Sequence, residues 1–392
     1  MEQGQTRRSK RTNGLSGTGG SPLFKRELHV GCPEIGDFRR FLKMAKTIIS
    51  GRRLTNDGPY VREFEERTAG ILGVRHCVAV CSGTMGLELA VRASGLSGEV
   101  ILPSMTFIAT AHALQWQGIT PVFCDIDPET LCIDPCQVER LITRKTTGMI
   151  GVHLFGRLCQ TEALQRIADM HGLKLIFDAA HAFGCSRDQK MAGCFGHAEV
   201  LSFHATKFVH SIEGGAVVTN DGALAEKIRL MRNFGFNEDG CVTGLGINGK
   251  MNELCAAMGI VSLGNFSKAA EVNRRNYELY QKYLADVPGV ELMQYDPQET
   301  TNFQYIVVRV NREAAGISRD ELLGILNAEN ILARRYFYPG CHQLEPYRSL
   351  PEYSELSLPV SDRLNSELLQ LPTGSAVRPR DIKKICGLIG DG

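Results

Sequence analysis

The segment from residue 198 to residue 221, AEVLSFHATKFVHSIEGGAVVTND, contains two short runs of β-forming residues that flank Lys207 and a Gly-Gly pair. Five similar runs precede it, at residues 76–82, 99–104, 120–126, 147–156 and 173–180. Helical patterns such as TMGLELAVRASG and QTEALQRIADMHG lie between the runs. Continuous apolar strands that alternate with amphipathic helices are typical of a mostly parallel sheet covered on both faces. The sequence therefore predicts an α/β fold with such a sheet at its centre.

The pattern changes near residue 265. A long, largely polar helical segment follows, and then NFQYIVVRV, a helix starting at Ser318, and ILARRYFYPG. We predict a large domain over residues 23–265 and a smaller α+β domain over residues 266–392. Residues 1–22 are basic and rich in Gly and Ser, with no apolar signal region, and are predicted to form a disordered tail.

Composition limits the classes of function. The 44 Lys and Arg residues nearly balance the 43 Asp and Glu residues, so no overall charge draws the chain to nucleic acid or membrane. No apolar run approaches the ~18 residues that a membrane span needs. The thirteen cysteines form no paired framework, and CIDPC (residues 132–136) does not complete a metal site. We expect a cytoplasmic protein without a metal, nucleic-acid or membrane partner.

Ligands of open α/β sheets bind beyond the carboxyl ends of the strands, so the residues just after each strand are the candidates. Ser82, Gly83 and Thr84 follow the first strand and precede a helix. They form either a phosphate cradle or an ordinary helix cap with a tight turn. Phe107 follows the next strand and is either a ring-stacking residue or a core residue.

Two further strand ends carry ionisable residues. Asp178 follows a buried strand, with His181 three residues later, and these are either site residues or a helix cap and a structural histidine. Lys207 lies among apolar and small neighbours and is either an amine nucleophile or a surface charge. A phosphate cradle, an aromatic ring, a buried acid and a lysine at one sheet edge are the four partners that pyridoxal 5′-phosphate requires.

The order of the motifs carries a wider resemblance. From about residue 28 onward the chain resembles the DegT/StrS-type sugar aminotransferases, fold-type I enzymes that use pyridoxal phosphate. The resemblance rests on DGPYVREFE, VCSGTMGLELA, LPSMTFIATAHAL, PVFCDIDPETLCIDP, GVHLFG, DAAHAFG, SFHATKF, EGGAVVTND and RLMRNFGF, in that order. It departs from the family after HLFG, where an Asp that is often found nearby is absent from RLCQTEAL.

This resemblance implies roles for the strand-end residues. Lys207 matches the Schiff-base lysine, and Asp178 matches the acid that pairs with the ring nitrogen. His181 matches the residue beside the ring and its 3′-oxygen, and Phe107 matches the stacking aromatic.

The resemblance also implies a phosphate site and an assembly. Gly83, Thr84, Met85 and Ser202 match the phosphate ligands. GLGINGKMNELCAAMG resembles the segment whose asparagine, here Asn248, reaches the phosphate in the neighbouring subunit. A homodimer with shared active sites is implied.

The implied reaction is transfer of an amino group from glutamate to a nucleotide-linked keto-deoxysugar. Relatives that replace the lysine with histidine are dehydratases, so Lys207 favours transamination. Two segments, GINGKMNELCAAMG and ARRYFYPGCHQLEPY, look closest to the branch that aminates C-4 of dTDP-4-keto-6-deoxyglucose. Amination of C-3 of a related sugar is the alternative. The residues that could hold the sugar and diphosphate, or else form a basic aromatic strand edge, are Arg334, Arg335, Tyr336, Tyr338 and His342.

Two other classes of protein are alternatives. A non-catalytic, cofactor-binding regulator would share the fold, but Lys207, Asp178 and His181 together argue against it. A dinucleotide-binding Rossmann protein would carry G-x-G-x-x-G after the first strand and an acid after the second. This chain has SGTMG and a Pro-Ser pair at those places.

Overall fold

The computed structural model describes residues 21–391 of the chain. The tail predicted for residues 1–22 therefore lies outside the described residues, apart from Ser21 and Pro22. The strands of the described part are β1 (Leu28–His29), β2 (His76–Val80), β3 (Glu99–Pro103), β4 (Thr120–Cys124), β5 (Thr146–Val152), β6 (Lys174–Asp178), β7 (Ser186–Arg187), β8 (Lys190–Met191), β9 (Ala198–Ser202), β10 (Gly215–Thr219), β11 (Val290–Leu292), β12 (Ile306–Val310), β13 (Ile331–Leu332) and β14 (Leu368–Leu371).

The helices of the same residues are α1 (Phe38–Gly51), α2 (Pro59–Leu72), α3 (Gly83–Ala93), α4 (Ala109–Gln115), α5 (Pro135–Leu141), α6 (Thr161–His171), α7 (Gly222–Met231), α8 (Glu253–Leu263), α9 (Phe266–Leu284), α10 (Arg312–Ala315), α11 (Arg319–Ala328), α12 (Pro359–Glu367) and α13 (Pro379–Asp391). None of these helices combines the length and the apolar character that a membrane crossing requires.

Seven strands form the central sheet, in the order β2-β10-β9-β6-β5-β3-β4. Strand β10 is antiparallel to both its neighbours, and the remaining pairs are parallel. All seven coincide with the runs identified from the sequence, which confirms the predicted α/β fold with a mostly parallel sheet.

Both faces of the sheet are buried, as the continuous apolar runs predicted. Along β6 the side chains of Leu175 and Phe177 join one apolar cluster, and Ile176 between them joins another. Helices α1, α2, α5, α6 and α8 contribute to the first cluster, and α3, α4 and α7 contribute to the second. The two-residue period of the strand therefore distributes its side chains between two helical layers.

Local signals fixed several helix ends. Pro59 starts α2, and Gly73 ends it with φ of 70°. Ser318 caps α11 and forms a capping box with Glu321. The sequence of α1 favours Gly51 as its C-cap, but the helix continues through Gly51, and Arg52 takes the left-handed conformation with φ of 54°.

The second unit is built on a three-stranded antiparallel sheet in the order β11-β12-β14. Helix α9 begins beside the predicted boundary at residue 265. The two-domain division stays a prediction, and two segments pack across it. Phe24 and Leu28 join the apolar cluster of the C-terminal unit, and β1 pairs with β13. Conversely, Cys341 and Tyr347 pack against the central sheet.

Candidate active site

A cavity of about 360 Å³ opens beyond the carboxyl ends of the central strands. Gly83 lies after β2, Phe107 after β3, Asp178 at the end of β6 and Ser202 at the end of β9, and all four line the cavity. Lys207, from the loop between β9 and β10, lines it as well. The structure thus brings together the residues selected from separate strand ends, because parallel strands present their carboxyl ends at one edge.

Lys207 is held with its amine inside the protein. Its backbone N–H donates to His204 O at 2.9 Å, and its Nζ donates to the Tyr305 hydroxyl at 3.2 Å. Burial lowers the pKa of Lys207 to about 8, and the Asp178 carboxylate opposes that shift. A considerable fraction of the amine is therefore neutral, and nucleophilic, close to physiological pH.

Asp178 is a buried carboxylate with two hydrogen-bond donors. Its Oδ1 accepts from the Ala180 N–H at 3.1 Å, and its Oδ2 accepts from Thr110 Oγ1 at 2.9 Å. Burial raises the pKa of Asp178, while the Ala180 N–H, the Thr110 hydroxyl and the Lys207 charge act in the opposite direction. The arrangement provides a fixed anionic acceptor at the cavity wall that a protonated ring nitrogen would stabilise.

His181 is buried and neutral. Burial, followed by the nearby Lys207 charge, lowers the pKa of His181 well below its usual value. Its Nδ1 accepts from the Phe155 N–H at 3.3 Å, so its Nε2 carries the proton of the neutral ring. The His181 ring packs against Tyr305 at 4.4 Å between centroids and against Phe337 at 5.9 Å. The side chain can therefore act as a hydrogen-bond donor without bringing a charge into the cavity.

Phe107 is a cavity residue rather than a core residue. Its side chain is 57 % exposed, and its ring centroid lies 6.2 Å from that of Phe337. An exposed aromatic ring at the mouth of a cavity is available to stack on a flat ligand.

The start of α3 can serve both as a capped helix end and as an anion site. Ser82 is the N-cap, and its Oγ accepts from the Met85 N–H at 3.1 Å. Ser82, Gly83 and Thr84 line the cavity, and a helix start offers N–H groups to an anion. A Cβ on Gly215 of β10 would lie 2.6 Å from Gly83 N, so only glycine allows this approach of strand and helix.

Two predicted phosphate-site residues do not line this cavity. Met85 contributes its backbone N–H to the capped turn, and its side chain packs beside Gly249. Asn248 is exposed on the segment between α7 and α8 and forms an isolated β-bridge with Asn233. The proposed contact of Asn248 with a partner subunit's cofactor stays a prediction.

The predicted sugar-binding set divides into two groups. Arg334 and Tyr336 line the cavity. Arg335 instead stacks its guanidinium 4.8 Å from the Tyr338 ring centre and approaches Asp320, and neither Arg335 nor Tyr338 is a lining residue.

His342 is not a cavity residue either, which corrects the prediction. The short 3₁₀ turn Cys341–Gln343 directs the imidazole inward, where 2 % of the residue is exposed. Its Nδ1 lies 2.6 Å from Ser104 Oγ, and its Nε2 lies 3.2 Å from Asp362 Oδ1. The His342 ring therefore faces Ser104 and Asp362 rather than the cavity.

Several residues in or next to the cavity were not identified from the sequence. Tyr305 sits within NFQYIVVRV, where its aromatic ring looks like any other strand residue, yet it contacts Lys207. Thr110, in the apolar stretch FIATAHA, supports Asp178. His204 and Glu213 line the cavity with Nε2 and Oε1 3.6 Å apart. The one sequence signal that could have identified any of these residues is a polar residue within an apolar helix, and only Thr110 shows it.

Three comparisons with known proteins agree with this geometry. A family model described as the DegT/DnrJ/EryC1/StrS aminotransferase family matches residues 37–389. A dTDP-4-amino-4,6-dideoxy-D-glucose transaminase of Shigella dysenteriae is 36 % identical over 357 residues, which cover 88 % of this chain and 97 % of the relative.

Two solved structures have a similar fold. The crystal structure of DesI in the presence of its TDP-sugar product has 48 % identity and a TM-score of 0.92, covering 96 % of this chain and 95 % of that one. The Bacillus subtilis NtdA structure with bound cofactor PMP has 26 % identity and a TM-score of 0.82, covering 90 % of this chain and 82 % of that one.

The residues of the cavity fit pyridoxal phosphate. They provide an amine whose pKa is lowered, a buried carboxylate, a neutral imidazole and a helix start that a glycine strand approaches closely. These groups correspond to the aldehyde, ring nitrogen, ring oxygen and phosphate of that cofactor.

Proposed function

This chain belongs to the DegT/DnrJ/EryC1/StrS aminotransferase family and is a pyridoxal phosphate-dependent sugar aminotransferase, and we propose that it transfers the amino group of glutamate to C-4 of dTDP-4-keto-6-deoxyglucose. The observation that carries the reaction type is the placement of Lys207 and Asp178 in one cavity. The name of the Shigella relative, which specifies a 4-amino-4,6-dideoxyglucose, supports the position and the sugar. The TDP-sugar product that accompanies DesI in its crystal structure supports the nucleotide.

Each cavity residue has a proposed part in the reaction. When bound, pyridoxal phosphate supplies an aldehyde and a ring that withdraws electrons from the carbon attached to the transferred nitrogen. Asp178 would hold the proton of the ring nitrogen, and the burial that raises the pKa of this carboxyl would also strengthen the pairing. With the cofactor bound, the protonated Nε2 of His181 would donate to the ring oxygen. Phe107 would stack on the ring and exclude water from it.

Lys207 is proposed as the group that moves the proton. Its pKa of about 8 lets Nζ accept a proton from the substrate carbon and return it without a large energy difference between the two states. The N–H groups of Gly83 and Thr84, with the Ser202 hydroxyl, line the cavity at the start of α3 and would hold the phosphate there. Arg334 is the guanidinium at the cavity edge that pairs with the diphosphate of the nucleotide sugar.

A homodimer with shared sites is part of the proposal. The segment around Asn248 exposes a group of large apolar side chains. They are Phe234, Phe236, Val242, Leu245 and Ile247. An exposed apolar patch of this kind is typical of an interface, and Asn248 lies on the same segment, so we propose that a second copy covers the patch and receives Asn248 at its phosphate site.

A reducing, cytoplasmic location is also proposed. All thirteen cysteines of the chain lie among the described residues and are free. Unpaired thiols in this number are typical of proteins that remain in a reducing compartment.

The test is a substrate panel with product analysis. The enzyme is incubated with glutamate and nucleotide-linked keto sugars that differ in base and keto position, and NMR fixes the carbon that bears the new amine. Lys207→Ala is the control for non-enzymatic transfer. Amination of C-4 of the dTDP sugar is the expected result. Amination at C-3 would refute the position, and tight cofactor binding without any turnover would favour a regulator.

A further inference from the structure

Tyr305 makes a contact with Lys207 that the proposed function does not use. It precedes β12 of the C-terminal unit and lines the cavity, whereas Lys207 comes from a loop of the central sheet. The Lys207 Nζ lies 3.2 Å from the Tyr305 hydroxyl, and its side chain has no other hydrogen-bond contact within the described part of the chain. The cavity amine is therefore tethered by a residue from the opposite unit.

The Tyr305 side chain is itself firmly placed. Its residue is 5 % exposed, and its ring packs at 4.4 Å between centroids on His181 and at 5.6 Å on Phe155. Its backbone carbonyl accepts from the Tyr295 hydroxyl at 3.0 Å. A flexible lysine with four side-chain torsions thus meets a partner that has little freedom to move.

The protonation state of Tyr305 defines what it can offer. Burial raises the pKa of Tyr305 well above its usual value, so the phenol keeps its proton and stays neutral near pH 7. Its oxygen is free to accept from the amine. The other ionisable groups that face the Lys207 amine or line the same cavity are Asp178, His181, His29, His204, Glu213, Arg334 and Tyr336.

We propose, on the basis of the proposed function, that Tyr305 is a positioning residue for Lys207. Whenever the Lys207 amine is not bonded to the cofactor, the Tyr305 oxygen accepts a hydrogen bond from it. That bond fixes Nζ within the cavity and favours its protonated form. Tyr305 thereby sets how readily Lys207 releases the proton it moves during transfer.

The experiment reads Lys207 directly in the holoenzyme. Excess glutamate converts the cofactor to its aminated form, which frees the Lys207 amine, and acetic anhydride then labels that amine at a series of pH values. Mass spectrometry of the Lys207 peptide gives an apparent pKa. In Tyr305→Phe the pKa should fall by about one unit, because an acceptor for the charged form is lost. At pH 7 the labelling should therefore be about fivefold faster than in the wild type, if the wild-type pKa is about 8.

Turnover provides a second readout. In Tyr305→Phe, kcat should fall by about tenfold while KM for glutamate stays within about twofold, because binding is unaffected and proton transfer is misaligned. The matched control is Tyr280→Phe, which removes a buried hydroxyl that donates to Pro372 O at 2.8 Å and does not line the cavity. Tyr280→Phe should leave the labelling pKa and kcat unchanged.

A labelling pKa in Tyr305→Phe that equals the wild-type value would overturn the proposal. If that variant does not fold, Tyr305→Leu removes the same oxygen, and a lowered labelling pKa there supports the proposal while a wild-type one refutes it. If wild-type enzyme shows no absorbance change with glutamate, the proposed amino donor is wrong. Labelling of the full chain freed of cofactor then decides the role of Tyr305 by itself.

Discussion

Replacing Asp178 with asparagine should remove most activity while preserving the fold. The present carboxylate accepts from Ala180 N–H through Oδ1 and from Thr110 Oγ1 through Oδ2. In Asp178→Asn the amide oxygen can keep the first bond. The Thr110 hydroxyl can turn to accept from the new NH₂ group and donate to Thr106 Oγ1, which lies 2.9 Å away. Every hydrogen bond is then retained, so the free energy of unfolding should change by less than about 1 kcal/mol.

The loss of activity follows from charge. The neutral amide of Asp178→Asn cannot hold a proton on the ring nitrogen. In the wild type, the attraction between the Asp178 carboxylate and a protonated ring nitrogen is strong because Asp178 is only 6 % exposed. By analogy with the loss of one key electrostatic group, we expect turnover to fall on the order of 10²–10³, about 2.7–4 kcal/mol in the activation free energy.

A second buried carboxylate provides the matched control. Asp125 accepts from Val360 N through Oδ2 and from Ser361 N and Oγ through Oδ1. In Asp125→Asn the NH₂ group must face a backbone N–H, so this variant should lose about 1–3 kcal/mol of stability but keep its turnover per folded molecule.

The assay compares stopped-flow glutamate turnover with thermal unfolding for both variants, after cofactor occupancy is measured. Opposite outcomes are expected, with activity lost in Asp178→Asn and stability lost in Asp125→Asn. A cofactor-loaded Asp178→Asn enzyme within about threefold of wild-type turnover would refute the role assigned to Asp178.

Three further predictions concern the lysine, the assembly and pH. Borohydride reduction of the yellow holoenzyme should attach the cofactor to Lys207, and peptide mapping that finds it on another lysine would remove the central assignment. If Asn248 serves the partner's site, a heterodimer of Lys207→Ala and Asn248→Ala subunits has one site with both substitutions and one site with neither. Such a heterodimer should show up to half the wild-type activity per dimer. No activity in verified heterodimers would place Asn248 in its own subunit's site. Burial lowers the pKa of His181, His210 and His342 in the folded protein. Below about pH 6.5 the unfolded chain therefore binds more protons than the folded protein does, and Tm should fall as pH is lowered from about 7.5 to 5.5. A constant Tm over that range would contradict this effect of burial.

The central sheet and the candidate catalytic residues were accessible from sequence because both depend on local pattern. A buried parallel strand needs a continuous apolar run, and all seven runs became strands of one sheet. The residue after each strand is placed by the chain itself, so Gly83, Asp178 and Lys207 could be selected without knowing the strand order. The roles of individual residues came from the motif resemblance, and those roles remain predictions.

Side-chain direction outside the sheet was not accessible in the same way. His342 and Tyr336 occur in the same basic and aromatic segment, yet Tyr336 lines the cavity and His342 turns inward to Ser104 and Asp362. Irregular segments have no fixed period, so the sequence cannot assign their side chains to a face.

By itself, the sequence determined which residues form the seven central strands, that α2 lies between Pro59 and Gly73, and which strand ends carry ionisable groups. Only the tertiary structure decided that β1 joins the C-terminal unit and that Tyr305 meets Lys207, 98 residues away in the chain. Local patterns depend on backbone geometry and burial within one element, which neighbouring residues specify. Contacts between units depend on how two separately formed surfaces pack, and no short stretch of sequence records that.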